Sequence, residues 1–254
     1  AGFSGDMAID DVSFFELPPF DLALANPAIA PVHYYIYPQS QATGITFSGD
    51  LANIGASPLT NSTMRVDVGS WPDSVIVATL ASGATANATT NTLTTQPNGF
   101  YTAIYTSYAA ENDTNLTNND GSLDFYINDS IYSRDDSVNT GSLGIGAGTA
   151  GVLGQNFVVN TMDTMTSVSF FLDNPTIGDT AWVTVHAFST TPGAELARTD
   201  DFIIPTDTSA WYTLTLQCPL ITAPGTYFIG MNETDANITL GTTPFNFAPN
   251  TGWV

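Results

Sequence analysis

The sequence predicts an all-β protein made of tandem β-sandwiches, an Ig-like module followed by a jelly-roll-like module. Short runs with apolar residues at every second position dominate the chain, and they are rich in Val, Ile, Thr, Phe and Tyr. Gly, Pro, Asn, Asp and Ser separate these runs at the spacing of strands and turns. Patterns typical of helices are almost absent.

The run at residues 44–51 shows the strand pattern clearly. Ile45, Phe47 and Leu51 fall on one face, and Thr, Ser and Asp fall on the other. Such alternation indicates a half-buried strand. The same alternation occurs at residues 64–68, 123–127 and 167–172.

Shifts in composition divide the 254 residues into four parts. A stiff Pro-Pro segment lies at 17–20, and a Gly/Ser/Thr-rich passage follows Asp135. The predicted parts are a C-terminal strand remnant of a preceding module at 1–17, an Ig-like sandwich at 18–133, a linker at 134–153 and a truncated jelly-roll-like sandwich at 154–254. We therefore expect the chain to begin and end inside larger units of one long protein.

The charge balance narrows the classes of partner. The chain has 24 acidic residues against three basic ones, a formal net charge of −21. Such a chain would be repelled by nucleic acid and by anionic membrane surfaces. Neutral glycans, cations such as Ca²⁺ and other proteins remain as partners. No apolar run is long enough to span a bilayer, so membrane insertion is not expected.

Cysteine and histidine offer little for catalysis. Cys218 is the single cysteine, which rules out an intrachain disulfide, and its apolar surroundings predict a buried, inert thiol. The two histidines, His33 and His186, stand near no nucleophile motif. The sequence therefore predicts a protein that is not an enzyme and assigns no catalytic residue.

Two segments resemble known adhesive modules. The run GDMAIDDVSF at residues 5–14 resembles the closing strand of a MAM domain, an adhesive jelly-roll module. Asp21 and Leu22, the Asn53–Gly55 turn and the Asn-rich stretch at 112–119 resemble CARDB-type adhesion modules over about residues 21–130. These resemblances imply an Ig-like fold for the first large module and an adhesive role.

The last part is similar to jelly-roll modules of large Bacteroidetes surface proteins, on the motifs at 154–157, 192–197 and 225–230. Proteins of that kind commonly leave the cell by type IX secretion. The resemblance implies an extracellular or cell-surface location. It also implies contacts with other modules of the same protein and with components of the secretion translocon in transit.

Calcium binding is an open alternative at two acidic clusters, because hard cations prefer grouped oxygen ligands. Asp6, Asp10 and Asp11 form the first cluster, and Asp113 and Asp120 mark the second, with three asparagines between them. The second cluster does not fit the EF-hand register. A solvated hairpin rich in Asp and Asn is the other interpretation of it.

Two tryptophans, Trp182 and Trp211, are candidate ligand-binding residues, and His186 is a third. In residues 182–187, Trp182 and His186 alternate with apolar residues, and Trp211 does the same in residues 211–216. The alternation predicts that both indoles face away from the core, where aromatic rings bind sugars or protein partners. Packing against a sheet edge or a neighbouring module is the alternative.

Three functional hypotheses follow. The first is a non-enzymatic segment of a large surface adhesin or structural protein, in which the modules serve as spacers and contact surfaces. The second is a carbohydrate-binding accessory region of a secreted hydrolase that acts through Trp182 and Trp211. The third is a subunit of a surface filament that assembles by strand addition.

Overall fold

The computed structural model describes residues 15–234 and 238–243 and the backbone of residues 252–253. These residues form two β-sandwiches, called here the first and the second module. The strands of the first module are β1 (Leu22–Ala30), β2 (Ile36–Pro38), β3 (Thr46–Asn53), β4 (Leu59–Val68), β5 (Trp71–Leu80), β6 (Thr85–Thr89), β7 (Gly99–Tyr108) and β8 (Asp120–Asn128). A four-residue helix α1 (Gln39–Ala42) precedes β3, and a 3-10 turn (Leu116–Asn118) precedes β8.

The first module is an Ig-like sandwich of three strands on five. The smaller sheet has the order β1-β3-β6, and the larger sheet has the order β2-β8-β7-β4-β5. The short strand β2 runs parallel to β8, whereas the other pairs are antiparallel. The predicted Ig-like fold is confirmed.

Alternation along the strands builds the core of the first module. Phe47 and Leu51 in β3 are fully buried, as their spacing predicts, and so are Met64 and Val66 in β4. The ring of Phe125 lies 6.2 Å from that of Phe47, which joins the two sheets by aromatic contact.

The described residues of the second module form ten strands. They are β9 (Gly141–Gly144), β10 (Gly151–Val159), β11 (Asp163–Asp173), β12 (Thr180–Phe188), β13 (Pro192–Arg198), β14 (Phe202–Ile203), β15 (Ala210–Thr222), β16 (Gly225–Glu233), β17 (Thr239–Thr242) and β18 (Gly252–Trp253). One sheet reads β9-β17-β11-β15 and the other β10-β16-β12-β13, with β18 beside β10 and β14 beside β12. When the eight longer strands are numbered in chain order, the sheets read 1-8-3-6 and 2-7-4-5, the order of a jelly roll.

The predicted linker at 134–153 requires a correction. Residues Gly141–Gly144 form β9 and pair with Thr239–Thr242, so they are the first strand of the jelly roll. The strand was missed because Leu143 is its only large apolar residue and glycines flank it. The predicted strand remnant at 1–17 lies almost wholly outside the described residues.

Cys218 also departs from expectation, because its thiol is exposed and not buried. Strands β11 and β15 lose register here: Ser167 pairs with Thr215, but Met165 pairs with Leu220. The intervening part of β15 bulges, so the apolar sequence around Cys218 does not place it in the core.

Among the described residues, no helix has the length and apolar character needed to cross a membrane.

Candidate functional site: the joint between the modules

In the described part of the chain, the polar contact with the most hydrogen bonds between the modules centres on Gln41 in helix α1, which is 1% exposed. Its Oε1 accepts hydrogen bonds from the backbone N–H of Asn160 (2.8 Å) and of Thr161 (3.2 Å). Its Nε2 donates to the carbonyl oxygen of Thr161 (3.1 Å) and to the carboxylate of Asp163 (3.1 Å). One side chain of the first module thus forms hydrogen bonds with the backbone N–H and C=O groups of the turn between β10 and β11 of the second.

Further bonds surround this glutamine. The hydroxyl of Ser40 donates to Asp163 Oδ2 at 2.5 Å, and the hydroxyl of Thr161 donates to the carbonyl of Ser40 at 2.8 Å. Gly44 allows the close approach, because a Cβ there would lie 2.6 Å from Cγ of Asn160. The joint therefore depends on a residue without a side chain as well as on polar pairing.

Aromatic rings form the other half of the joint. The hydroxyl of Tyr34 accepts from the backbone N–H of Val158 (2.7 Å), and the hydroxyl of Tyr132 donates to the carbonyl of Val158 (2.6 Å). The ring of Phe157 stacks on Tyr34 with centroids 5.7 Å apart. The guanidinium of Arg134 lies 5.0 Å from the Tyr34 centroid and 5.6 Å from that of Phe157. The second module thus inserts the end of β10 into an aromatic pocket of the first.

Burial favours the protonated form of Tyr132 at this contact. Desolvation raises the pKa of Tyr132 far above its ordinary value. Its hydroxyl therefore stays protonated, and able to donate, above the pH at which an exposed tyrosine ionises.

Asp163 is expected to make the joint sensitive to acid. Its hydrogen bond from Ser40 holds the pKa of its carboxyl below the ordinary value. Because the folded-state pKa is lowered, the stabilisation is complete above the unfolded pKa of about 4 and is lost as the pH falls through the folded pKa. We expect small-angle X-ray scattering to show weaker coupling of the modules at about pH 3 than at pH 6. The Asp163→Asn variant cannot titrate at this position, so an equal response of variant and wild type would place the sensitivity elsewhere.

Trp182, a predicted ligand-binding residue, is half-buried in β12. The guanidinium of Arg198 lies 5.5 Å from its ring centroid, and that guanidinium also donates to Asp201 at 2.8 Å. A cation of its own chain therefore covers one face of this indole. Its neighbour Val183 belongs to the core between the sheets, so Trp182 points away from that core.

Trp211 lies on the other sheet and is 46% exposed. It pairs across the strands with Phe171, whose ring meets it edge to face at 5.7 Å. Because Tyr212 packs on the core between the sheets, Trp211 points outward from the opposite side of the sandwich to Trp182. The structure therefore does not bring the two tryptophans into one site.

His186, the third predicted ligand residue, bonds to its own chain through both ring nitrogens. Nδ1 lies 3.0 Å from the carbonyl oxygen of Gly193, and Nε2 lies 2.9 Å from the hydroxyl of Thr184. A carbonyl oxygen only accepts, so Nδ1 carries the proton and Nε2 of the neutral ring accepts from Thr184. The imidazole thus holds the hairpin between β12 and β13.

The predicted calcium ligands separate into three groups. Asp6, Asp10 and Asp11 lie outside the described residues. Asp120 is exposed at the start of β8, opposite Thr106. Asp113 is held by the backbone N–H groups of Leu22 (3.0 Å) and Asn115 (2.9 Å). In the part of the chain that the structure describes, no three His, Cys, Asp or Glu side chains group as metal ligands.

The joint was not predicted from the sequence. Its residues are Tyr34, Ser40, Gln41, Tyr132, Arg134, Phe157, Val158, Asn160, Thr161 and Asp163. The one available signal was the aromatic run at residues 34–37, which is unusually rich in tyrosine for a strand. The polar members occur in short turn-like segments and carry no signature in sequence.

Comparisons with known proteins find only distant similarity. No family model matches the sequence. No curated protein matches it either. The crystal structure of a CARDB domain from Pyrococcus furiosus, in complex with di-metal ions, matches 48% of this chain and 99% of its own at 16% identity and a TM-score of 0.36. The NMR structure of that domain matches 46% and 100% at 14% identity and a TM-score of 0.34.

Two larger secreted or hydrolytic proteins also match. A secreted serine protease from Vibrio cholerae aligns with 80% of this chain and 47% of its own at 13% identity and a TM-score of 0.22. An α-L-rhamnosidase from Streptomyces avermitilis, complexed with L-rhamnose, aligns with 87% and 22% at 12% identity and a TM-score of 0.24. These distant likenesses do not assign a function to this chain.

Proposed function

We propose that this chain is a non-enzymatic two-module segment of a large extracellular or cell-surface protein of the adhesive or structural kind. Its modules act as a spacer of fixed geometry and as contact surfaces. The joint around Gln41 carries this proposal, because a flexible tether would not need a buried side chain of one module to satisfy the backbone of the next.

The presence of two separate contacts in the joint supports a spacer function. Polar bonds at Gln41 and aromatic contacts at Tyr34 hold β10 and the turn after it at separate points. Contacts at two places restrict the rotation of one module relative to the other as well as their separation. A segment built this way transmits position along a longer protein, which is what a spacer must do.

Both histidines serve the fold, which agrees with a non-enzymatic role. His33 Nε2 lies 3.0 Å from the carbonyl oxygen of Asp124, and His186 bridges Thr184 and Gly193. Desolvation lowers the pKa of His33, so its neutral form is favoured. These rings are committed to structural bonds.

The outer face of the larger first-module sheet supports the contact role. Phe100 in β7 is 55% exposed and lies directly opposite Tyr126 in β8, which is 39% exposed. Ile104, four residue pairs further along and on the same face, is 52% exposed. Exposed apolar side chains on one sheet face are suited to contact with other modules.

The partners proposed for these surfaces are other modules of the same protein, glycans or other surface proteins. Export by type IX secretion and a MAM-like unit at the N-terminus complete the proposal. Both rest on the sequence resemblances described above.

The proposal is tested by measuring whether the modules tumble together. We expect ¹⁵N relaxation of the intact chain to give one rotational correlation time for both modules. Separate correlation times of the size expected for single modules would contradict the spacer function.

Carbohydrate binding is a second candidate, favoured by the exposed pair Trp211 and Phe171. If this pair binds sugar, Trp211→Ala should abolish retention on a glycan array or on insoluble polysaccharide. Trp182→Ala is the matched control, because Arg198 covers one face of that indole. Equal retention by both variants and wild type would remove this candidate.

A further inference from the structure

The buried amide of Gln41 lies against a hydroxyl group of the second module. Its Nε2 is 3.2 Å from Oγ1 of Thr161. Since an amide C–N bond is about 1.3 Å long, that hydroxyl oxygen lies within about 4.5 Å of the amide carbon Cδ. The hydroxyl hydrogen is donated elsewhere, to the carbonyl oxygen of Ser40 at 2.8 Å, so the lone pairs of Oγ1 face the amide. A nucleophilic atom is thus held beside a buried carboxamide.

The oxygen of the same amide is polarised by two backbone donors. The N–H groups of the consecutive residues Asn160 and Thr161 donate to Oε1 of Gln41 at 2.8 Å and 3.2 Å. Neighbouring backbone N–H groups directed at one carbonyl oxygen are the arrangement that stabilises the oxyanion of acyl transfer. These bonds draw electron density from Cδ, which is the atom that a nucleophile attacks.

A carboxylate lies at the nitrogen of this amide. Oδ2 of Asp163 accepts from Nε2 at 3.1 Å, and the hydroxyl of Ser40 donates to that oxygen at 2.5 Å. Oδ2 of Asp163 and Oγ1 of Thr161 therefore both contact the atom that would leave. A carboxylate in this position can take a proton from the hydroxyl and return it to the nitrogen. Nucleophile, oxyanion donors and proton carrier meet on one carboxamide.

We propose that Thr161 and Gln41 react to form an ester that joins the two modules covalently. Oγ1 of Thr161 attacks Cδ of Gln41, the Cδ–Nε2 bond breaks, and ammonia leaves. The hydroxyl proton passes by way of Asp163 to the departing nitrogen, so the reaction needs no other reactant. The fixed positions of the groups favour the reaction, and the burial of Gln41 protects the ester from hydrolysis. The reaction occurs once in each chain, so it is a maturation step and not an enzymatic activity.

The positions of the arginines allow the ester to be detected by mass spectrometry. The chain has no lysine, so trypsin cuts it only after its three arginines, Arg65, Arg134 and Arg198. Gln41 therefore falls in peptide 1–65 and Thr161 in peptide 135–198. We expect the chain, incubated at neutral pH and then denatured, to be lighter than its sequence by one ammonia, and these two peptides to stay joined after digestion. Ring closure of an asparagine loses the same mass but leaves the peptides separate.

Substitutions at the reacting groups distinguish the ester from simple hydrogen bonding. Thr161→Val keeps the shape of the side chain but removes the nucleophile, so the joined peptides should be absent. Thr161→Ser retains a hydroxyl and should form them. Asp163→Asn should slow the release of ammonia by about a hundredfold or more. Thr164→Val is the matched control, because Thr164 is exposed on the strand that follows the turn, and this variant should react as the wild type does.

Two results would overturn the proposal. One is a wild-type chain of full sequence mass whose peptides separate after digestion, and the other is a linkage that persists in Thr161→Val. The ester rests on the proposed spacer function, because the modules must be held together at this joint for it to form. The two failures are distinguishable: a chain without the ester but with one rotational correlation time contradicts only the cross-link, whereas separate correlation times contradict the spacer function itself.

Discussion

Replacement of Gln41 by alanine is expected to release the two modules from each other. The buried amide satisfies the backbone N–H groups of Asn160 and Thr161 and donates to Asp163. Truncation leaves these groups without their partner, at about 1–3 kcal/mol for each group that stays dry. We expect a loss of about 2–4 kcal/mol of coupling between the modules.

The measurements for Gln41→Ala are ¹⁵N relaxation and small-angle scattering of the intact chain. We expect two shorter correlation times in place of one, and a broader distance distribution. Gln39→Ala is the matched control. Gln39 lies on the same helix, but its amide donates to the carbonyl of Gln96 within the first module at 2.8 Å. A joint that stayed rigid in Gln41→Ala, or loosened equally in Gln39→Ala, would refute the assignment of Gln41 as its centre.

The fold followed from local pattern to a large degree. Alternation at residues 44–51 predicted the buried face of β3, and Phe47 and Leu51 are both fully buried. This works because the side-chain period of a strand is two, and one buried face is enough to produce the pattern. The outward orientation of Trp211 was predicted correctly for the same reason.

The period-two pattern did not predict the structure at irregular positions. Cys218 lies in a bulge, where the period of two breaks, and β9 is too short and glycine-rich to show a period. Trp182 faces away from the core as its strand predicts, yet Arg198 covers it. A local sequence pattern cannot show whether a side chain from a neighbouring strand will cover an outward-facing residue.

The joint could not be predicted because its members are far apart in sequence. Gln41 meets Asn160 across 119 residues, and Tyr34 meets Val158 across 124. Glutamine in a short polar segment normally indicates an exposed turn, whereas the side chain of Gln41 bonds to Asn160, Thr161 and Asp163 of the second module.

A pair of glycines on the outer face of the second module is the site of a second mutation with a large expected effect on stability. Gly154 in β10 lies directly opposite Gly230 in β16. A Cβ at Gly154 would lie 2.2 Å from the carbonyl oxygen of Ile229 and 2.5 Å from Cα of Gly230. These are backbone atoms, so a rotamer change cannot relieve the contact. The ring of Phe228, 2% exposed, lies close to both glycines and fills the space that side chains would take.

Gly154→Ala is therefore expected to destabilise the second module by about 3 kcal/mol or more, since strands β10 and β16 must separate to admit the methyl group. Gly151→Ala on the same strand is the control. A Cβ there would meet only the end of the Ile145 side chain, which can move. A dye on the exposed Cys218 reports unfolding of the second module in urea. Equal midpoints for the two variants would mean that the sheet yields at Gly154, and that the glycine pair does not set the spacing of its strands.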